Sequence, residues 1–204
     1  MTPKVEETAE CQIDKNGKNQ HGGVEMSDVQ VERNEALIKR REVVPFAGQR
    51  ILHRSRLNFD QVMSNLRAHV GETTVANIVE LSATPGSVEA FEKKVQQYVG
   101  DSGFMLFEEM DHGRWIEKFG IKRRLVRWIF GNPLIAITMI RRDYSAGLFV
   151  PVELLLAESD NGAGCSVTYV LPSSLIAVGG DPELLDAAQA LDAKVEALVA
   201  LAVS

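Results

Sequence analysis

The stretch from Gly131 to Glu158 constrains the fold most strongly, because it concentrates the apolar residues of the chain into two runs. These runs flank a charged segment, Arg141–Tyr144, and Glu153 lies inside the second run. Apolar runs of this length, bounded by Gly, Pro and charge, are typical of strands buried on both faces. The sequence therefore predicts two central strands joined by a charged turn, with the Asn132-Pro133 pair opening the first.

The last element has the clearest start signals. Asp181 is suited to be the N-cap and Pro182 to be the first helical residue, with Glu183 behind it. Apolar residues then recur every three or four positions from Leu184 to Ala202. The pattern predicts an amphipathic C-terminal helix, about 30 Å long at 1.5 Å per residue, that packs on the sheet.

The other segments alternate between strand and helix patterns. We predict a strand within Val43–Leu57, a helix from Phe59 capped by Asn58, and a helix that begins at Ser87. A compact strand, Phe104–Phe107, comes next, followed by two short helices that meet at Gly120 and extend through Phe130. The remaining predictions are a hairpin turn at Ser159–Gly164 and a strand from Cys165; residues 71–86 stay ambiguous between helix and turn.

Length and composition limit the class of protein. The chain has 204 residues with 45% hydrophobic content, enough for one domain with a real core. We expect a single α+β domain over residues 43–204. Residues 1–42 contain few apolar side chains, so we expect a disordered or partly helical N-terminal tail, with a short helix starting at Ser27 or Asp28.

Charge and cysteine content exclude several partners. The formal net charge of −6 argues against nucleic acid as the main partner, because phosphate neutralisation needs a surplus of Lys and Arg. The acidic start lacks the features of a signal peptide, and no apolar run reaches the length of a membrane span. Cys11 and Cys165 form no paired motif. We therefore expect a reduced, cytoplasmic protein without a transmembrane segment.

Three motifs in order resemble a known family. They are GFMLFEEMDHGRW from Gly103, the Asn132-Pro133 pair, and GLFVPVELLL from Gly147 followed by a short hairpin. From about Arg50 to the C-terminus the chain resembles the uncharacterised family called domain of unknown function 302. The resemblance implies a two-layer α+β sandwich similar to TATA-binding-protein-like folds, in which a curved antiparallel sheet packs against helices including a long C-terminal one. It also implies a homodimer, but no settled reaction.

The chain departs from that family at two positions. Many members place cysteines beside the Asn-Pro pair and just after the strand's Pro, where this chain has Gly131 and Val152. Thiol or metal chemistry based on those cysteines does not transfer here. The segment around residues 71–86 also looks like an addition to the usual compact domain.

Glu153 is the most informative single residue. Alternate residues of a strand face opposite ways, so Glu153 shares its face with apolar neighbours such as Phe149 and Leu155. An unpaired carboxylate there would serve as an acid or base. The alternative, which we favour, is a structural ion pair with an Arg such as Arg141 or Arg50, or a position on the wetter side of the sheet.

Asp111 and His112 directly follow a predicted strand, at a strand-to-helix turn. A His in such a turn reaches ligands, and its ordinary pKa lies near working pH. Asp111 is better suited to cap the following helix than to bind a ligand. The other histidines are scattered along the chain, so we predict no metal site and no cofactor.

A run of seven basic residues without any acid extends from Lys118 to Arg142. The functional interpretation is an anion site for a small molecule that bears a carboxylate or phosphate, because the guanidinium fork of Arg suits such groups. A membrane-surface role is a weaker alternative. The interpretation that we favour is structural, a solvated face paired with the acidic C-terminal helix. The candidate ligand-binding residues are Asp111, Trp115, Arg124, Asn132, Arg141, Arg142 and Tyr144.

Three hypotheses for function follow. The leading one is a small-molecule-binding protein whose pocket, between sheet and helices, takes an apolar or anionic ligand. The second is a cofactor-free isomerase, cyclase or lyase that uses His112 and Glu153 for proton transfer. The third is a ligand-free dimeric structural or interaction protein. The position of His112 relative to Glu153 divides the first two, because an enzyme needs both side chains in one cavity.

Overall fold

The computed structural model describes residues 41–160 and 162–204, and a compact unit spans Pro45–Ser204. The tail predicted over residues 1–42, including its helix near Ser27, lies almost entirely outside the described residues, as does Cys11. Those expectations therefore stay predictions.

Six strands and seven helices make up the described part of the chain. The strands are β1 Arg50–Ser55, β2 Gly71–Glu72, β3 Met105–Asp111, β4 Leu125–Gly131, β5 Val152–Glu158 and β6 Cys165–Val170. The helices are α1 Phe59–His69, α2 Val75–Ala83, α3 Val88–Val95, α4 His112–Ile116, α5 Pro133–Ile140, α6 Pro172–Ile176 and α7 Pro182–Val203. Three 3₁₀ turns add Gln96–Tyr98, Glu117–Phe119 and Tyr144–Leu148.

The strands form one open sheet in the order β1-β6-β5-β4-β3-β2. The first five strands in this order, β1 to β3 across the sheet, pair antiparallel with their neighbours. The two-residue β2 pairs with β3 in parallel. This confirms the predicted α+β class, a sheet packed against helices that include a long C-terminal one. Within the described residues, no helix combines the length and apolarity needed to cross a bilayer.

Helix α7 and helix α1 cover one face of the sheet. Leu66 of α1 and Val195 of α7 are buried in a single core with inward-facing strand residues such as Trp128 and Leu156. Both helices begin where the sequence predicts: Asn58 forms a capping box with Gln61, and the Asp181 carboxylate accepts from the backbone N–H groups of the first turn. The strand residues that lie between the core-facing ones point to the opposite face of the sheet, which we call the cavity face.

Two predicted elements are wrong in type. Residues Leu125–Gly131 form strand β4 rather than a second short helix, because Val126, Trp128 and Phe130 alternate into the core while Arg127 faces the other way. Residues Pro133–Ile140 form helix α5 rather than a strand. Asn132 caps this helix and Pro133 is its first residue, a combination that favours a helix start over a strand.

Other boundaries shift. Strand β3 extends to Asp111, four residues beyond the predicted end at Phe107. It contains a bulge between Leu106 and Glu108. Strand β5 begins at Val152, because Tyr144–Leu148 closes into a 3₁₀ turn. The ambiguous residues 71–86 contain β2 and helix α2, capped by Thr74.

Tyr169 is a buried polar group on the core face of β6. Its hydroxyl has no hydrogen-bond partner among the described residues, and its ring stacks on His53 with centroids 6.0 Å apart. Burial, with the negative charges of Glu196 and Asp192, raises the pKa of Tyr169 to about 12. The folded protein therefore holds this proton more tightly than the unfolded chain, whose tyrosine pKa is about 10.

We expect the protein to lose stability as the pH rises from about 10 to 12. The contribution of Tyr169 to the free energy of unfolding is fully present below the pKa of the unfolded chain. It is lost as the pH rises through the pKa of the folded protein, which amounts to about 2–3 kcal/mol. Urea unfolding of Tyr169→Phe should show a smaller alkaline loss, with little change at pH 7 because the hydroxyl makes no hydrogen bond. Tyr144→Phe, at an exposed tyrosine, is the control. Equal alkaline loss in wild type and Tyr169→Phe would contradict this prediction.

Candidate functional site

A cavity of about 650 Å³ lies on the cavity face of the sheet and contains both candidate proton-transfer residues, His112 and Glu153. Its floor is formed by β4, β5 and β6, with Leu155 and Thr168 at its centre. Helix α4 contributes one wall through His112 and Trp115. The other walls are apolar and include Leu148, Phe149, Pro151, Pro172 and Leu175. We call this the sheet cavity.

Glu153 and Arg127 form an ion pair in the floor of the sheet cavity. Arg127 Nε donates to Glu153 Oε2 at 2.9 Å, and its Nη2 contacts Oε1. The pair exists because both residues face away from the core on adjacent strands, where Arg127 lies opposite Leu155 and Glu153 opposite Ile129. An ion pair was the favoured expectation for Glu153, but neither Arg141 nor Arg50 is its partner. Both carboxylate oxygens are engaged, so proton transfer by Glu153 requires this pair to open.

His112 and Trp115 are held together on the first turn of α4. Trp115 Nε1 donates to His112 Nδ1 at 3.1 Å, and the two rings meet edge to face with centroids 5.9 Å apart. The neutral ring of His112 therefore carries its proton on Nε2. Asp111 caps the helix, as predicted, by accepting from Arg114 N at 3.2 Å. The first residue of α4 is thereby fixed at the edge of the cavity.

Arg50 supplies a cation at the β1 side of the sheet cavity. Among the described residues, no carboxylate lies within ion-pairing distance of its guanidinium. Arg127, by contrast, is neutralised by Glu153. Arg50 is therefore the cavity residue best suited to attract an anion.

Asp111 and Arg124 lie in a separate, highly charged cleft beside α1. Arg124 forms two contacts with Asp60, at 2.7 and 2.6 Å, and stacks over the ring of Phe59. The hydrogen bond from Arg124 lowers the pKa of Asp60, and the same contact raises the pKa of Arg124. Arg124 is thus part of the pairing between α1 and the segment before β4.

Asn132 lines a small apolar cavity of about 210 Å³ near α5. Its Oδ1 accepts from Leu134 N at 2.8 Å and its Nδ2 donates to Gly103 O at 3.0 Å. Both ends of this buried amide therefore have structural partners. Asn132 holds the start of α5 against the loop before β3.

Arg141, Arg142 and Tyr144 lie after α5, outside the sheet cavity. Arg142 pairs with Glu183 at the start of α7, which agrees with the structural alternative for the basic run. Arg141 donates from Nε to Ile137 O at 3.1 Å, and Tyr144 is 87% exposed. Four of the seven basic residues, Arg123, Arg124, Arg127 and Arg142, are each paired with a different carboxylate, so the run does not converge on one anion site.

Of the nine residues proposed from the sequence, three line the sheet cavity: His112, Trp115 and Glu153. Sequence reasoning missed the role of Arg127, because the helix predicted over β4 concealed the alternation that turns Arg127 towards Glu153. It considered Arg50 only as a partner of Glu153. Among the described residues, no three His, Cys, Asp or Glu side chains are grouped to hold a metal ion.

Comparisons with known proteins identify the family. The sequence model of the family described as "Domain of unknown function DUF302" matches residues 79–202. The chain belongs to this family. The DUF302 match begins after β1 and α1, so the family model itself does not include Arg50. It does include α4 and the strands that carry Arg127 and Glu153.

A solved structure agrees with the fold of the DUF302 chain. The crystal structure of an uncharacterized conserved DUF302 protein from Bacillus stearothermophilus has a TM-score of 0.52 and 14% sequence identity to it. The similarity covers 74% of this chain and 96% of that one. At this identity the similarity shows the fold alone. No curated protein matches the chain.

Proposed function

We propose that the protein binds a small amphipathic anion, with an apolar body and a carboxylate-like head, in the sheet cavity. The observation that carries this proposal is the combination of a large apolar cavity with the guanidinium of Arg50 at its wall, which pairs with no carboxylate of the described residues. Ligand cavities are typically 300–1,000 Å³, mostly apolar, with a few polar groups that fix orientation. The sheet cavity matches this description at about 650 Å³.

Three groups would orient the head of the ligand. The Arg50 fork suits the planar geometry of a carboxylate, which accepts two parallel hydrogen bonds. His112 presents Nε2, the donor that its contact with Trp115 leaves free for a ligand. Thr168 adds a hydroxyl on the floor. The body of the ligand would lie along Leu155, Phe149 and Leu175, where burial of apolar surface favours binding.

Replacement of Arg50 by Gln should weaken binding of decanoate about tenfold, because the charge-assisted contact is lost, while leaving 1-decanol unaffected. Titration calorimetry with both compounds measures this. Arg54→Gln is the matched control: Arg54 lies four residues further along β1 and therefore on the same face, but outside the sheet cavity. Equal losses in the two variants would show a general charge effect and contradict the assignment of Arg50.

An enzyme is the second candidate function, since His112 and Glu153 do line one cavity. We propose His112 as the proton carrier in that case, because Glu153 is held by Arg127. In this case the substrate would be an unsaturated acid such as 3-decenoate, in which removal of a proton from C2 and its return at C4 moves the double bond. His112→Ala would abolish turnover and weaken binding only by the loss of its hydrogen bond to the head, whereas Glu153→Gln would reduce turnover with binding retained. Turnover that survives His112→Ala would exclude this role.

The homodimer implied by the family resemblance is also a proposal. Exposed apolar residues at the β1 side of the sheet cavity, including Phe46, Leu52, Leu148 and Val170, provide a surface that a second copy would cover. Light scattering coupled to size-exclusion chromatography tests it, and a monomer at micromolar concentration would exclude a stable dimer.

A further inference from the structure

The segment Trp115–Lys122, which we call the aromatic loop, exposes an unusual amount of apolar surface. Trp115 is 54% exposed, Phe119 76% and Ile121 51%. The rings of Trp115 and Phe119 meet edge to face with centroids 6.2 Å apart. Single exposed apolar residues need no explanation, but three within one short loop mark a surface that contacts another apolar medium.

The same loop carries two lysines that form no ion pair within the part of the chain that the structure describes. Lys118 and Lys122 are exposed, and among the described residues neither lies within ion-pairing distance of a carboxylate. Glu117 is the one acid of the loop. The basic residues that follow, Arg123 and Arg124, are by contrast paired with Asp160 and Asp60. The unpaired charges are thus the ones that stand beside the exposed aromatic residues.

The backbone presents this surface outward. Gly120 ends the 3₁₀ turn with φ of +79°, a conformation that favours glycine, and a Cβ at this position would contact nothing within 4 Å. The turn therefore projects into open space, with Phe119 and Ile121 on either side of Gly120. Trp115, at the start of the loop, also lines the sheet cavity, so the loop is continuous with the cavity wall.

We propose that the aromatic loop docks on the surface of an anionic lipid bilayer, from which the sheet cavity takes its amphipathic ligand. Aromatic side chains prefer the interfacial zone of a bilayer, and lysines beside them are attracted to anionic headgroups. This inference rests on the proposed function, because it identifies the bilayer as the source of that ligand. It requires only that the loop inserts shallowly, in the manner of interfacial anchors.

Charge favours a bilayer over a second copy of the chain. In a two-fold dimer the same patch contacts itself, so two lysines and one glutamate from each copy would leave an excess of positive charge in the interface. An anionic bilayer instead presents opposite charge beside an apolar interior. The loop has the composition that matches this partner, apolar at its tip and basic on its flanks.

Vesicles with and without anionic lipid test the proposal. The chain contains two tryptophans, of which Trp128 is fully buried, so Trp115 reports on the loop. We expect a blue shift of tryptophan fluorescence and co-sedimentation with vesicles of phosphatidylcholine and phosphatidylglycerol at 3:1. Both signals should weaken with added salt and be much smaller with phosphatidylcholine alone. Trp115→Phe should co-sediment but lose the blue shift.

Variants with matched controls assign the effect to the loop. Phe119→Asp and the double change Lys118→Glu with Lys122→Glu should each weaken vesicle binding at least tenfold. Two control variants should bind vesicles as the wild type does. Tyr144→Asp changes a more exposed aromatic residue away from the cavity, and Lys93→Glu changes an exposed lysine of α3. Phe119→Asp, the double lysine variant, Tyr144→Asp and Lys93→Glu should keep the wild-type affinity for decanoate in solution.

Three outcomes would overturn the docking proposal. The first is that the wild-type protein binds neither kind of vesicle. The second is that its binding does not depend on anionic lipid. The third is a dimer in light scattering that Phe119→Asp dissociates, which would assign the loop to a second copy. Decanoate binding without vesicle binding would leave the proposed function intact. Vesicle binding without decanoate binding would contradict the cavity function and, with it, the bilayer as the source of a ligand, and would leave only the docking of the loop.

Discussion

Replacement of Leu191 by Asp is expected to unfold the domain or to lower its thermal midpoint by at least about 10 °C. Leu191 is buried in the core on the sheet-facing side of α7. Loss of its side chain alone costs about 2–5 kcal/mol, and a carboxylate without a partner adds a desolvation penalty. That total is a large part of the 5–15 kcal/mol by which a domain is normally stable. Circular dichroism melting measures the change.

Ala190→Asp is the control for this substitution. Ala190 precedes Leu191 on the same helix but is exposed, so the new carboxylate stays in water. We expect a loss of less than 1 kcal/mol, which reflects only helix propensity. A thermal midpoint for Leu191→Asp equal to that of Ala190→Asp would refute the packing of α7 on the sheet.

Replacement of Leu155 by Trp should weaken binding of decanoate at least thirtyfold while leaving the fold intact. Leu155 faces the sheet cavity rather than the core, and it is only partly buried. An indole at this position fills the space that the body of the ligand would occupy, and the apolar contacts of the ligand are then lost. Because the added volume enters a cavity, the overpacking strain of core substitutions does not arise.

Leu52→Trp separates cavity filling from a general effect of the indole. Leu52 lies on β1 opposite Thr168, on the same face of the sheet, but outside the sheet cavity, and is exposed. Binding of decanoate should be unchanged in this variant. Thermal midpoints of both variants should remain within a few degrees of wild type. Unchanged affinity in Leu155→Trp would show that decanoate binds elsewhere.

The elements with unambiguous end signals could be predicted from the sequence. Helix α7 follows from the Asp181-Pro182 start and its apolar stripe, and helix α1 follows from Asn58. The two faces of β5 also follow, because strict alternation places Glu153 and Leu155 on one side. In each case local preference and burial point to the same structure.

Helix α5 and strand β4 could not be assigned in the same way, because their local signals conflict with their composition. Pro133–Ile140 is apolar enough for a buried strand, yet the Asn132 cap and the Pro at its first position favour a helix. Leu125–Gly131 fits both periods, since the apolar spacing across Gly120 also matches a helix. Its strand form is decided by pairing with β3 and β5, which is tertiary information.

The candidate site was predictable only in part for the same reason. His112 and Trp115 stood out as residues of a strand-to-helix turn, and Glu153 as a carboxylate in an apolar run. Their convergence on one cavity depends on tertiary packing, in which α4 lies against β4 and shares the cavity lining with β5. Arg127 became visible as the partner of Glu153 only once β4 was known to be a strand.

Native mass spectrometry of the protein purified from its own source, beside Leu155→Trp purified in the same way, tests the central proposal most directly. We expect the wild type to carry an additional mass that extraction identifies as an apolar acid, and we expect Leu155→Trp to lack it. An unmodified mass for both proteins, together with no change in the thermal midpoint of the wild type on addition of decanoate, would contradict ligand binding in the sheet cavity.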